Sequence, residues 1–268
     1  MKGESVIFVG GCMRTGTTLL QRMLCASPDV QPFTDECQFL TGLLDFLAAW
    51  RQRFDWLKDF YGTPEGYEAY AKATVDAFLR ASFETQRPAR TIVLKNPELT
   101  THFSQLADWY GQAKFIVIVR DPRDTIASIL DVAARHGEAG VPSQVAQIGR
   151  DMAKLSNFYK AYYVDALQSP KSRGRVLVVK YEDLVHRPEA SLAALSQHLG
   201  LTLSAGLMPP DEFDRRERDA NVAAFWTALR AQPPSPASVG RFRRSLSPEE
   251  IASIESQCAD FNRGFRYW

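Results

Sequence analysis

The run Val6-Ile7-Phe8-Val9, followed by "GGCMRTGTT" (residues 10–18), constrains the fold more than any other part of the chain. Four apolar residues closed by glycines read as a buried strand. Beyond the loop, Leu19, Leu20, Met23 and Leu24 fall at helical spacing from Thr17 to Ala26, until Ser27-Pro28-Asp29 stops the pattern. Strand, glycine turn and helix, in that order, put the turn at a strand's carboxyl end, where α/β sheets bind ligands. Gly11 and Gly16 have the spacing of a phosphate-wrapping loop, and Thr18 stands at its metal-binding hydroxyl position. Thr17, however, replaces the lysine of that pattern, and Arg14 brings a cation into the loop itself. The expected ligand is phosphate-like but handled differently from ATP.

Further along, Thr91-Ile92-Val93-Leu94, Lys114 to Val119 and Val176-Leu177-Val178-Val179 are short β-branched runs, each followed by a helical pattern. The last of these patterns runs from about Pro188 to Leu199. Near-continuous apolar strands alternating with helices predict an α/β fold with a central, mostly parallel sheet and helices on both faces. Phe39 to Phe60 and Pro64 to Gln86 have helical periodicity and read as a helical insert at about 39–86 within a single domain spanning 1–268. Gln232 to Ser247 reads as a loop, with Pro233, Pro234 and Pro236 and a basic cluster of Arg241, Arg243 and Arg244, before a helix opening on Ser247-Pro248-Glu249-Glu250.

Composition narrows the partners. In 268 residues, 45% apolar and 24% charged, Lys plus Arg exceed Asp plus Glu by a net charge of only +1, so no overall field favours nucleic acid or an acidic membrane, and any anion site must be local. Cys12, Cys25, Cys37 and Cys258 form no CxxC pair and read as reduced thiols; with His102, His136, His186 and His198 as the histidines, no metal cluster is expected. No signal segment and no membrane-length apolar span are visible, so a cytoplasmic protein is expected.

Polar residues gather at the strand ends. Loop amides opening onto a helix start make an anion cradle, to which the Arg14 guanidinium adds a bidentate donor. In "FIVIVRDPRDTIASIL", Arg120 and Ser128 could hold a second phosphate; the alternative is that Arg120 pairs with Asp121 or Asp124 while Ser128 packs. Together these stretches resemble the cofactor-binding segments of sulfotransferases that use 3′-phosphoadenosine 5′-phosphosulfate (PAPS). "IFVGGCMRTGTTLLQRMLCASPDV" is most similar to the tyrosylprotein sulfotransferase branch and its bacterial relatives. The resemblance implies the P-loop-like sulfotransferase fold, PAPS as co-substrate with 3′,5′-adenosine bisphosphate (PAP) as product, and no metal. A lone Asp121 after Val119 keeps a magnesium reading open.

The resemblance also assigns residues. Arg14, Thr15, Gly16, Thr17 and Thr18 would hold the 5′-phosphosulfate, and Arg120 with Ser128 the 3′-phosphate. In "FTDECQFL", Glu36 would be the general base, with Asp35 as the less favoured choice; an acid pair capping the next helix is the structural alternative. Lys95 in "VLKNPEL", with Arg14 opposite as a second catalytic cation, would stabilise the leaving oxygen and the sulfuryl group, or else be a solvated strand-end lysine. Tyr181 in "VVKYEDL" would lie near the adenosine or simply pack, and Ser238, Gly240 and Arg241 in "SVGRFRRSLSPEE" would fold over the nucleotide or form a solvated loop. His102 could approach the acceptor site; Cys12 and Cys37 read as small packing residues.

Two arginines of the tyrosylprotein pattern are missing, with Gln38 and Val132 in their places. A neutral amide cannot pair with carboxylates, which weakens the case for an acidic peptide acceptor. The expected acceptor is a hydroxyl or amine on a small molecule, saccharide, lipid or peptide, and self-association as a homodimer stays open. Two other classes compete with this reading: a magnesium-ATP phosphotransferase and a nucleotide-binding module without catalysis.

Overall fold

Strand β1 (Ser5–Gly10) is buried from Val6 onward and lies in the middle of a four-stranded sheet. It is followed by α1 (Thr17–Cys25), α2 (Gln38–Arg51), α3 (Lys58–Tyr61), α4 (Pro64–Thr85) and β2 (Thr91–Lys95). Next come α5 (Phe103–Trp109), β3 (Lys114–Val119), α6 (Pro122–Glu138), α7 (Gln144–Ile148), α8 (Met152–Gln168), β4 (Val176–Lys180), α9 (Tyr181–His186) and α10 (Pro188–Leu199). This computed structural model describes residues 4–31, 35–85, 89–203 and 234–268. The expectations touching Phe33, Thr34, Gln86, Gln232 and Pro233 lie outside the described residues.

The strand order is β2-β1-β3-β4, and every pairing is parallel, with Phe8 opposite Leu94 on one side and Phe115 on the other. Side chains alternate faces along each strand. Val6, Phe8, Ile92, Leu94, Phe115 and Val117 enter one buried cluster, whereas Ile7, Val9, Val93, Ile116 and Ile118 enter another. Leu20 and Leu24 of α1, Leu184 of α9 and Leu195 of α10 cover the second face. The first is covered by Leu44 of α2, Leu79 of α4, Leu106 of α5, Ile129 of α6 and Leu155 of α8. Both faces are therefore dry, which is why these strands read as continuous apolar runs.

The stretch expected as one helix from Phe39 to Phe60 is broken. The Arg53 amide donates to Trp50 O at 2.9 Å, a three-residue bond that tightens the end of α2, and a 3₁₀ turn at Phe54–Trp56 leads into α3. Leu40, Leu44 and Leu47 of α2 and Val75, Leu79 and Phe83 of α4 share the cluster of Phe8 and Phe115, so these helices build the main core. The segment expected as a loop before Ser247 is also ordered where described: a 3₁₀ turn at Pro236–Ser238 and a helical turn at Phe242–Ser245 bury Ser238, Phe242 and Leu246. The helix Pro248–Gln257 starts on a capping box between Ser247 and Glu250, as its sequence predicts. Among the described residues no helix is long and apolar enough to cross a membrane.

Phe8 has no exposed surface, and its ring stacks on Phe115 at 5.4 Å. Phe8→Ala is expected to cost about 3–5 kcal/mol of stability, read as a lower urea midpoint with an unchanged slope.

Candidate active site

The loop between β1 and α1 is shaped by backbone that side chains tolerate poorly. Gly11 (φ 137°) and Gly16 (φ 100°) are left-handed, and a Cβ on Gly11 would come within 2.4 Å of the Ile118 carbonyl oxygen. Arg14, at φ 69°, adopts the same region without being glycine. Several loop groups are spent on the protein itself: the Gly11 amide donates to Thr100 Oγ1 at 2.6 Å, the Cys12 amide to Tyr163 Oη at 3.2 Å, and Thr15 Oγ1 to Cys12 O at 2.6 Å. Thr15 thus staples the loop from inside. At the other end, α1 is capped by Gly16 with no side-chain bond, so its first-turn amides around Thr17 and Thr18 have no side-chain cap.

Lys95, at the end of β2, is only 1% exposed, which removes the reading of a solvated strand-end lysine. Its Nζ donates to Glu36 Oε1 at 2.7 Å and to Thr18 Oγ1 at 3.3 Å. The expected base, the expected cation and the helix-start hydroxyl therefore form one hydrogen-bonded group. Glu36 does not cap a helix: the N-cap of α2 is Cys37, without a side-chain bond, and Asp35 beside it is exposed. The backbone holds the arrangement as well, because the Cys37 amide donates to Lys95 O at 2.8 Å.

The second expected segment meets the first. Arg14 Nε donates to Ser128 Oγ at 3.2 Å, and Arg120 Nη1 donates to Arg14 O at 3.1 Å. Burial pushes the Arg14 guanidinium down to about 10, and the neighbouring charges of Arg135, Arg120 and Arg241 push it the same way against Glu36. Arg120 is 4% exposed, donates through Nη2 to Ser238 O at 2.6 Å, and lies 4.4 Å over the Tyr181 ring. Its Nε is buried with no hydrogen-bond partner, an orphaned donor that suits a bound phosphate. Tyr181 is buried, its hydroxyl meets Ser238 Oγ at 2.7 Å, and its ring lies so close to Gly16 that a Cβ there would be 2.5 Å from it.

The late segment is docked, not solvated. Asp124 accepts from the Gly240 amide at 2.7 Å and the Phe242 amide at 3.0 Å, and Arg241 pairs with Asp131 on α6. Gly240 has φ 75°. Asp121, the magnesium candidate, accepts from the Arg123 amide as the cap of α6 and pairs with the Arg123 guanidinium at 2.7 Å, so its carboxylate is committed to structure. Asp124 lies 3.9 Å from Arg120 Nη2.

Some contributors were not singled out from the sequence. Glu98, in the 3₁₀ turn Pro97–His102 after Lys95, accepts from Tyr162 Oη at 3.2 Å; burial raises its carboxyl above the ordinary range, and the charge of Glu36 adds to the shift. The signal was present in "VLKNPEL", but an acid three residues past a strand end has no pattern of its own. Arg135 on α6 likewise became visible only through its neighbours. His102 pairs with Asp45 of α2 at 2.8 Å, which gives it a structural partner. Burial raises the Cys12 thiol and pushes Cys37 up to about 11, in keeping with packing roles.

Comparison with known proteins gives this geometry a context. The model of the Sulfotransferase family matches residues 6–205. A putative protein-tyrosine sulfotransferase of Caenorhabditis briggsae is 26% identical over 225 residues, covering 83% of this chain and 75% of that protein. Protein-tyrosine sulfotransferase 2 of Gallus gallus is 29% identical, over 79% of this chain and 55% of its own length. An omega-hydroxy-beta-dihydromenaquinone-9 sulfotransferase of Mycobacterium bovis is 26% identical, over 73% of this chain and 62% of its own. The chain thus spans little more than half of some of these relatives. Among solved structures, a sulfotransferase domain from the curacin biosynthetic pathway covers 96% of this chain and 98% of its own at TM-score 0.55 and 20% identity. A mouse sulfotransferase complexed with PAP covers 98% of this chain and 85% of its own at TM-score 0.52 and 13% identity. At these identities the structures show the shared fold.

Glu98 supplies a test of the site's electrostatics. Its carboxyl is raised in the folded protein, so the folded state binds the proton more tightly than the unfolded chain. Its contribution to stability is full at low pH and is lost as pH rises from the ordinary value of about 4.3 through the raised one. Glu98→Gln, which can still accept from Tyr162, is expected to melt higher relative to wild type at pH 8 than at pH 4, measured by thermal unfolding across that range.

Proposed function

The chain belongs to the sulfotransferase family, and we propose that it transfers a sulfuryl group from PAPS to an acceptor hydroxyl, with Glu36 as general base. One observation carries this reading: a buried Lys95 joins the Glu36 carboxylate and the Thr18 hydroxyl at the uncapped start of α1. Base, cation and anion cradle stand within a single hydrogen-bonded group, as in-line displacement at sulfur requires.

When bound, PAPS supplies the activated sulfuryl group and a phosphate leaving group. The first-turn amides of α1, with Gly16, Thr17 and Thr18, hold the 5′-phosphosulfate, while Thr15 keeps the loop closed from inside. Glu36 takes the proton of the acceptor hydroxyl as its oxygen bonds to sulfur, and Lys95 balances the negative charge that gathers on the departing phosphate oxygen. Arg120 and Ser128 hold the 3′-phosphate. Arg14, bonded to Ser128 in this structure, links the two anion positions. Tyr181 and the clasp of Ser238, Gly240 and Arg241 enclose the adenosine side. The Lys95 contact differs from that of a P-loop lysine, which serves the terminal phosphates of a triphosphate.

The acceptor side supports a hydroxyl carried on an apolar body over an acidic peptide. Gln38 opens α2 without charge. Phe39 (70% exposed), Phe46 (59%), Trp56 (78%) and Phe60 (81%) then leave a large aromatic surface in the stretch that follows Glu36. The mycobacterial relative is named for a dihydromenaquinone acceptor, which is of this class. Gln38 contributes no guanidinium that would pair with carboxylates of an acidic peptide.

Glu36→Gln is expected to lower transfer of labelled sulfate from PAPS about 10²–10⁴-fold while leaving PAP affinity within a few-fold of wild type. Unchanged transfer would assign the base elsewhere. In a thermal-shift experiment, PAP at about 100 times its Kd is expected to add about 2.7 kcal/mol of apparent stability. ATP with magnesium is expected to add less at the same concentration; the reverse order would favour a phosphotransferase.

A further inference from the structure

We infer that Arg135 is an additional guanidinium of the 3′-phosphate pocket, replacing from one helical turn further along α6 the charge that Val132 does not supply. The inference rests on the sulfuryl-transfer reading and adds to it a residue that neither the loop pattern nor the Arg120–Ser128 segment includes.

Helix α6 runs from Pro122 to Glu138, and residues four and seven apart share a face, so Ser128, Val132 and Arg135 lie along one line. Val132 is buried and apolar. Helical side chains tilt toward the amino terminus, so a long side chain at 135 covers the turn of Val132 and points toward Ser128. The surroundings agree with that direction. Arg135 Nη2 is buried, and Arg135 is the foremost of the charged groups that press on Arg14, ahead of Arg120 and Arg241. Arg14 in turn donates to Ser128 Oγ at 3.2 Å. An arginine that served only the negative end of α6 would reach the other way, toward the last carbonyls.

Arg14 therefore contacts the Ser128 hydroxyl, and Arg135, Arg120 and Arg241 add positive charge around Arg14. Two of these charges are partly balanced, Arg241 by its pair with Asp131 and Arg120 by Asp124 at 3.9 Å, which also accepts from the Gly240 and Phe242 amides. Such a concentration of like charge is relieved by a dianion, and a phosphate monoester presents oxygens in the geometry that guanidinium forks match. The 5′-phosphosulfate lies at the start of α1, so the effect of Arg135 is confined to the 3′-phosphate.

Isothermal titration of the full chain with PAP and with 5′-AMP tests this. Wild type is expected to bind PAP more tightly than AMP. Arg135→Gln is expected to weaken PAP about tenfold or more with AMP unchanged, Arg135→Lys to fall between, and Val132→Arg added to Arg135→Gln to restore part of the loss. A PAP affinity unchanged in Arg135→Gln, or an equal loss for both nucleotides, overturns the role of Arg135 while leaving the sulfotransferase reading intact. Wild type binding neither nucleotide overturns both. Melting temperatures of the variants separate a loss of binding from a loss of fold, and if Arg135→Gln does not fold, the intermediate loss in Arg135→Lys decides the question.

Discussion

A lysine with 1% of its surface exposed is the constraint around which this site is built. Removing an ammonium from water costs several kcal/mol unless a counter-ion and further hydrogen bonds replace the solvent. Glu36 and Thr18 meet that demand for Lys95, and in doing so they tie the segment before α2 and the first turn of α1 to the end of β2. The Cys37 amide on Lys95 O fixes the same junction through the backbone. In the proposed reaction the pair is also a stored arrangement of charge. The proton acceptor is already oriented by a cation, and the cation is held beside the loop where an anion would arrive.

The other half of the candidate site is organised differently, by a clasp drawn from distant parts of the chain. Ser238 is gripped through its carbonyl by Arg120 and through its hydroxyl by Tyr181, and Asp124 takes the amides of Gly240 and Phe242. Burial raises the Asp124 carboxyl, which Arg120 and these amides oppose. The groups that would contact a nucleotide in the proposed reading are the same ones that hold the late segment in place, so occupancy of the site and order in that segment would be coupled through shared side chains.

Much of this was legible in the sequence because it depends on local pattern. Four short apolar runs predicted the strands, since strands buried on both faces leave no alternation to blur them. Arg14, Lys95, Arg120 and Tyr181 could be placed together because strand ends of a parallel sheet share one edge. What was not legible depends on contacts between segments. The burial of Lys95 is decided by Glu36 and Thr18, which are far away in sequence. The break between α2 and α3 follows from one tightened turn at Trp50–Arg53 within an otherwise helical pattern. Arg243 and Arg244 are exposed as a basic run suggests, but the docking of Arg241 on Asp131, and of the Gly240 and Phe242 amides on Asp124, is seen only in the structure. Glu98 and Arg135 acquire meaning only from their neighbours.

The central position of β1 has one more consequence. Its loop and the turn after β3 leave adjacent strands, whose spacing in any sheet is about 4.8 Å, and the rigid hydrogen-bond ladder between Gly10 and Val117 fixes that separation. The sheet thereby acts as a gauge. A ligand whose charges branch from opposite sides of a sugar ring can rest on both strand tips at once, whereas a linear chain of phosphates, however highly charged, runs along one tip and leaves the other bare.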